Sequence, residues 1–309
     1  MRKLRRISRA TASRIALLAI IALLLYIVLP QIGGLKDAGP ALMAADKADI
    51  LTGVALLLAT YVVSAAILQP LAIKPLLFGR TLLVQAANGL AGKLLPAGLG
   101  GIGLNAAYLK RQGHTLPEAT AVAGANNVVG FMGYLILLAL AVLLLGVSWP
   151  HVSVPGHTVT IIVTVVALVA VIGALIFGKR GLTAVRRALS GLSAYRKHPT
   201  RLIGALVMAA VLPALFSAIL YYVARALGLP LSAGQAFAVF SAGQFVGSVT
   251  PTPGGVVGAE AGISGALVAY GVNGHNALLT ALLYRLITYW LPMLPGGIAL
   301  LVARTRRIV

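Results

Sequence analysis

The chain has 309 residues, of which 60 % are hydrophobic and 10 % are charged, and its formal net charge is +20. A soluble domain carries about 25 % charged residues, so this composition excludes an ordinary soluble fold and indicates an all-α polytopic membrane protein. The positive charge does not indicate nucleic-acid binding, because the basic residues lie between apolar stretches rather than on one polar face. The absence of cysteine excludes disulfides and thiolate metal sites.

Six apolar stretches are long enough to cross a bilayer, which takes about 20 residues. They predict transmembrane helices at about 15–32, 50–69, 117–147, 157–178, 201–227 and 276–303. The first follows a basic N-terminus and is predicted to be a signal anchor rather than a cleaved signal peptide. Most basic residues fall on one side of these spans, as in cytoplasmic loops. We therefore expect a bacterial or archaeal plasma-membrane protein with both termini in the cytoplasm.

Two further apolar stretches, 80–112 and 232–271, are interrupted by proline and glycine. Proline lacks an amide donor and glycine is costly inside a helix, so neither stretch should cross as one rod. Irregular backbone at membrane depth is tolerated where it is buried in protein or lines a wet cavity. Each stretch is predicted to be a re-entrant hairpin of two half-helices. The predicted tips contain Pro96, Gly100 and Gly101 in the first hairpin and Pro251, Pro253, Gly254 and Gly255 in the second.

The two hairpins resemble each other at an offset of about 155 residues. Pro96 lies nine residues before Asn105, and Pro251 lies nine residues before Glu260. Interrupted helices at corresponding positions of two inverted halves are typical of secondary transporters. The pattern predicts one membrane domain over residues 1–309, built from inverted-repeat halves at about 15–147 and 157–303. The alternative is two unrelated kinks in ordinary spans, which would spoil the charge bias.

Three charged side chains are expected at membrane depth, where an isolated charge costs at least about 2.5–3.5 kcal/mol. Glu260 either caps its own half-helix through the helix dipole or pairs with Arg285 on the next span. The Arg285 guanidinium suits bidentate binding of a phosphate. Lys93 either adds a second cation to the same cavity or extends to the cytoplasmic interface.

The predicted substrate-binding residues face a cavity between the hairpin tips. They are Arg285, Glu260, Lys93, Tyr284, Asn105, Asn127 and Gln244. The asparagines, including Asn126, could equally hydrogen-bond neighbouring helices. No serine, histidine or metal-ligand constellation of the kind that carries hydrolysis occurs, so we expect a non-enzyme without cofactor or metal.

Two segments resemble the signature of one family. They are 251–260, with a Pro-x-Pro-Gly-Gly run that ends at Glu260, and 283–292, with the pair Tyr284-Arg285. The family is the transmembrane, flippase-like domain of lysylphosphatidylglycerol synthases, and the resemblance extends from about Leu51 onward. The spacing departs by one position, because Glu260 lies two residues after Gly258. The resemblance implies a multi-span domain that moves a lipid between leaflets.

In fused members of that family a soluble aminoacyl-transferase domain accompanies the membrane domain. The present chain ends at Val309, shortly after its last predicted span, so we expect no transferase activity. Other phospholipids, polyprenyl-phosphate carriers and hopanoid-related lipids are then candidate substrates.

Three functions are compatible with these patterns. The first is a flippase or scramblase that moves an anionic phospholipid or lipid-phosphate carrier through a central basic cavity. The second is a secondary transporter of a small soluble anion, and the third is a non-transporting accessory subunit of a lipid-modifying system. The expected partners are anionic membrane lipids, further copies of the chain and a separate lipid-modifying enzyme, and not nucleic acid. No ATP-binding loop occurs, so movement is expected to be proton-driven or downhill.

Overall fold

The computed structural model describes residues 40, 43–94, 98–145, 195, 199–250 and 252–309. The chain divides into two units, Met1–Ala44 and Ala45–Val309, and the second unit forms the helical bundle. The predicted spans 15–32 and 157–178 and the tip residues Pro96 and Pro251 lie outside the described residues.

Every regular element among the described residues is helical, as the composition predicts. The helices are α1 Lys47–Leu71, α2 Phe78–Leu94, α3 Leu99–Arg111, α4 Leu116–Leu145, α5 Pro199–Ala226, α6 Ala233–Val249, α7 Gly258–Ala269, α8 Gly274–Arg285 and α9 Met293–Thr305. A π-helical segment, Leu286–Trp290, follows α8 directly. Four stretches are long and apolar enough to cross a membrane, namely α1, α4, α5 and the run Gly274–Thr305. The all-α membrane class is confirmed, whereas the count of six spans stays a prediction.

The order of these elements occurs twice along the chain. A long helix is followed by two short helices that pack on each other and then by a second long stretch, first as α1, α2–α3 and α4. The second occurrence of this order consists of α5, the pair α6–α7 and the run from α8 to α9. We call α2–α3 the first hairpin and α6–α7 the second hairpin. The predicted hairpin boundaries, the membrane-inverted halves and the re-entrant course stay predictions.

Helices α1 and α5 pack side by side and run antiparallel. Arg225, in the last turn of α5, donates its Nε–H to Asp49 near the start of α1 over 2.8 Å. At the other end of the pair, the hydroxyl of Tyr195, which precedes α5, donates to the carbonyl of Leu71. Contacts at both ends therefore fix the direction of the two helices.

Two apolar clusters lie at opposite ends of this pair. One contains Leu71 from the end of α1 and Tyr108 from the open end of the first hairpin. The other contains Val223 near the end of α5, with Phe237 and Leu267 from the open end of the second hairpin. The two hairpins are therefore anchored at opposite ends of the bundle.

The outer surface of the long helices is apolar. Leu58 on α1, Phe131 and Leu143 on α4, and Ile298 and Leu301 on α9 are more than half exposed. A soluble protein rarely leaves so many large apolar side chains in water. This surface is suited to contact with lipid chains, which agrees with a membrane-embedded protein.

Candidate substrate cavity between the hairpin tips

The tip of the second hairpin is a tight turn that requires glycine. Gly254 and Gly255 have φ angles of 63° and 64°, in the left-handed region that other residues seldom adopt. A Cβ on Gly255 would lie 2.5 Å from the carbonyl oxygen of Gly247 on α6. The turn is therefore held against α6, and it directs the carbonyl of Gly254 towards the next span.

Glu260 and Arg285 form a buried ion pair beside this turn. The Arg285 Nε–H donates to Glu260 Oε1 over 2.8 Å, and the two side chains are 11 % and 7 % exposed. Arg285 also donates from Nη2 to the carbonyl of Gly254 over 3.0 Å. The guanidinium lies over the ring of Tyr289, with Cζ 4.1 Å from the ring centroid. Hydrogen bonds and a cation–π contact thus fix Arg285 at the tip.

The position of Glu260 bears on both sequence interpretations. It lies in the first turn of α7, where the helix dipole favours a carboxylate, and the N-cap residue Val257 makes no side-chain capping hydrogen bond. One carboxylate oxygen accepts from Arg285, and Oε2 has no hydrogen-bond partner among the described residues. Glu260 therefore pairs with Arg285 and also occupies the helix position that the first interpretation predicts.

Lys93, at the end of α2, reaches from the first hairpin to the last span. Its Nζ donates to the carbonyls of Thr288 over 2.9 Å and of Tyr289 over 2.7 Å. Pro292 has no amide hydrogen, so the Thr288 carbonyl four residues earlier has no α-helical donor. The ammonium of Lys93 donates to the Thr288 carbonyl instead. Lys93 therefore binds the last span beside the second tip, as expected for a cation at the cavity, and its depth in the membrane stays a prediction.

A cavity of about 360 Å³ lies where the two tips approach each other, and we call it the charged cavity. Its lining includes Lys93, Arg285, Tyr284, Gln244 and Gly254. Two basic side chains and the adjacent carboxylate leave a formal charge of +1, and Arg285 and Glu260 are both buried. Electrostatic attraction in buried surroundings is stronger than in water, so the charged cavity favours an anion.

A second cavity, of about 580 Å³, adjoins the first, and we call it the amide cavity. Its lining includes the amide side chains of Gln85, Asn88, Asn105, Asn126, Asn127 and Gln244. Gln85 Nε2 donates to Asn105 Oδ1 over 3.1 Å. Asn127 donates to a carbonyl of its own helix, that of Ala123, over 2.9 Å. The rest of the described lining is largely apolar, and none of its residues is charged.

The two cavities share Phe216, Phe240 and Gln244 in their linings. Phe131 and Phe245, which also line the amide cavity, are 63 % and 60 % exposed on the apolar outer surface. The amide cavity therefore communicates with the lipid-facing side of the bundle.

The structure brings the predicted site residues into these two places. Arg285, Lys93, Tyr284 and Gln244 line the charged cavity, with Glu260 next to it, and Asn105, Asn127 and Gln244 line the amide cavity. Their part in substrate binding stays a prediction.

Sequence reasoning missed Tyr289 and the pair Arg225–Asp49. Tyr289 follows Arg285 by four residues, a spacing that places two helical side chains on one face, so this signal was available. Its hydroxyl donates to the carbonyl of Pro253 over 3.1 Å and ties the last span to the second tip. The pair Arg225–Asp49 joins α1 to α5 at the bundle end.

One comparison with known proteins bears on this site. A family model described as the lysylphosphatidylglycerol synthase TM region matches residues 14–296, which include both hairpins, Glu260 and Arg285. No curated protein matches the chain. The match confirms the resemblance carried by the two sequence segments.

Proposed function

We propose that this chain, which belongs to the family of the lysylphosphatidylglycerol synthase TM region, is a flippase or scramblase for an anionic lipid. The family indicates a membrane lipid-related role. The observation that carries the finer proposal is Arg285, buried at the meeting of the two tips with Glu260 on one side and the charged cavity on the other.

The remaining donors of Arg285 fit a lipid phosphate. A guanidinium has five N–H donors, and the described residues use two of them, one on Nε and one on Nη2. The donors on Nη1 are left for a phosphate, which an arginine binds in a bidentate manner. Glu260 holds the guanidinium in place through Nε. A phosphate can thus enter without first breaking the ion pair.

The apolar surroundings favour a lipid over a small soluble anion. The head group can occupy the polar cavities while the acyl chains pass between the exposed rings of Phe131 and Phe245 into the bilayer. A transporter of a soluble anion requires a cavity that is closed to lipid. The opening on the apolar surface supports the lipid proposal.

In this proposal the two hairpins enter the membrane from opposite sides and their tips meet near its middle. The protein lies in the plasma membrane of a bacterium or archaeon with both termini in the cytoplasm. Its partners are anionic lipids, further copies of itself and a separate enzyme that modifies the lipid. It acts as a transporter rather than an enzyme and uses no cofactor.

The test is a leaflet-exposure assay in proteoliposomes with fluorescent phosphatidylglycerol and polyprenyl-phosphate analogues. The variants are Arg285→Ala and, as a matched control, Arg225→Ala, which removes the other arginine of a described ion pair at the end of the bundle. We expect wild type and Arg225→Ala to expose an anionic analogue faster than protein-free vesicles, and Arg285→Ala to match protein-free vesicles. Folded wild type that moves no analogue, or that instead admits a soluble anion, would contradict the proposal.

A further inference from the structure

We infer that the amide cavity binds an uncharged, hydroxyl-rich part of the lipid head group while the charged cavity holds its phosphate. The shared chemistry is that of neighbouring hydroxyls, as in a glycerol or a sugar-like ring. This inference rests on the proposed lipid function and narrows the class of substrate.

The first support is the chemistry of the lining. A carboxamide carries both donors and acceptors, and so does a hydroxyl, so rows of amides can bind neighbouring hydroxyls in either direction. None of the described residues that line the amide cavity carries a carboxylate. A head group with an ammonium, such as an aminoacylated glycerol, would place its charge there without a counter-ion, which is unfavourable away from water.

The second support is a set of unpaired oxygens. Asn88 on α2 and Asn126 on α4 both line the amide cavity, and the Oδ1 atom of each is buried without a hydrogen-bond partner among the described residues. Buried amide oxygens in folded proteins are nearly always paired. Hydroxyl donors from a ligand would pair both. Asn105 and Gln85, by contrast, already bond each other.

The third support is the position of Gln244. It lines both cavities, together with Phe216 and Phe240, so the two cavities are neighbours across one short boundary. A phosphate at Arg285 and its attached hydroxyls at Asn88 and Asn126 are then parts of one head group. A head group with phosphate alone would leave the amides unpaired.

The test measures binding to the purified, detergent-solubilised full chain by competition with one fluorescent lipid. The competitors have identical acyl chains and are phosphatidylglycerol, phosphatidylinositol, phosphatidic acid and lysyl-phosphatidylglycerol. We expect phosphatidylglycerol or phosphatidylinositol to bind at least about tenfold more tightly than the other two, because one unmade hydrogen bond at a buried site is worth about that factor. Whichever of these two lipids binds more tightly shows whether the recognised hydroxyls belong to a glycerol-like or a sugar-like group.

Variants at one position sharpen the test. Asn126→Leu is expected to reduce the preference for phosphatidylglycerol over phosphatidic acid severalfold, because one of the two unpaired oxygens is gone while that of Asn88 remains. Asn126→Asp is expected to shift the preference towards lysyl-phosphatidylglycerol, because it adds a counter-ion. Thr120→Val is the matched control, since Thr120 is exposed on the same helix and its hydroxyl bonds that helix's own carbonyls. This control should keep the wild-type preference.

Equal affinities of the wild type for all four lipids, or a preference that is undiminished in a folded Asn126→Leu protein, would overturn the inference. The readout is binding, so it is separable from transport. A hydroxyl preference without lipid movement would refute the proposed function alone. Movement of anionic lipids without a hydroxyl preference would refute the inference alone.

Discussion

The two hairpins share a backbone plan and differ in chemistry. Each has two short helices, a glycine-containing turn and a polar residue nine positions after a proline, which is Asn105 in the first and Glu260 in the second. Asn105 bonds the neighbouring amide of Gln85, whereas Glu260 bonds a guanidinium from the next span. The same backbone plan thus carries a neutral polar residue in the first hairpin and a charged one in the second.

Because the first hairpin holds a neutral hydrogen bond and the second an ion pair, mutations in the two hairpins should have unequal effects. A neutral hydrogen bond contributes about 0.5–1.5 kcal/mol, whereas breaking a buried ion pair costs about 3–5 kcal/mol because one charge is left uncompensated. Variants of the second hairpin should therefore have the larger effects.

The largest effect is expected from breaking the central pair. Arg285→Ala or Glu260→Gln should abolish lipid movement and lower the free energy of unfolding by up to about 3–5 kcal/mol, because each leaves a buried partner unpaired. The double variant should be less destabilised than the sum of the two. Lipid-exposure rates and thermal unfolding in detergent measure both effects, and normal transport by both single variants would refute the assignment of the site.

The next effect concerns the tips. Gly255→Ala combines a φ of 64° with a Cβ 2.5 Å from a carbonyl oxygen, and it should cost about 2–4 kcal/mol in unfolding free energy. Gly265→Ala on α7 is the control, because a Cβ there meets nothing within 4 Å. The first hairpin offers the same contrast between Gly100, whose Cβ would lie 1.9 Å from the carbonyl oxygen of Ala91, and Gly103, which has open space. Equal melting temperatures within each pair would contradict the described turns.

A smaller effect is expected from Lys93→Met, which keeps the aliphatic stem and removes the ammonium. The Thr288 and Tyr289 carbonyls then lose a charged donor, at a cost of about 1.5–3 kcal/mol. Transport should slow and the preference for anionic over zwitterionic lipid should fall, since the charged cavity loses one of its two cations. Lys93→Arg should retain most of that preference. A Lys93→Met protein with wild-type selectivity would exclude Lys93 from the site.

The smallest effect is expected from Arg225→Ala. This arginine is about half exposed, and partly exposed ion pairs contribute little to stability. Lipid movement should persist at the wild-type rate. A loss of lipid movement as large as that caused by Arg285→Ala would contradict the assignment of Arg285, and not Arg225, to the substrate site.

Local sequence signals were sufficient for the all-α membrane class. The breaks between α2 and α3 and between α6 and α7 coincide with clusters of proline and glycine, because these residues interrupt a helix locally. The re-entrant hairpins at 80–112 and 232–271 stay predictions. The Glu260–Arg285 pair was also predictable, since these are the two formally charged residues between Arg225 and the C-terminal basic cluster. Two of the six predicted spans fall outside the described residues.

The features that the sequence did not predict depend on contacts between residues that lie far apart along the chain. The contact of Lys93 with Thr288 joins residues almost 200 positions apart, and it depends on a carbonyl freed by Pro292. The π-helical segment inside the predicted span 276–303 was not predicted either. The amide cavity combines side chains from α2, α3, α4 and α6, so no single stretch of sequence marks it.

The central claim is that a lipid head group occupies the space between the hairpin tips, and photocrosslinking tests it most directly. A benzoylphenylalanine in place of Phe216, which lines both cavities, should capture a head-group-labelled anionic lipid, and the added change Arg285→Ala should abolish the capture. The same probe at Phe78, which is exposed at the start of α2, reports ordinary contact with lipid. Lipid capture at Phe78 should not change when Arg285 is replaced. Capture at Phe216 that is absent, or that is unchanged without Arg285, would contradict the account.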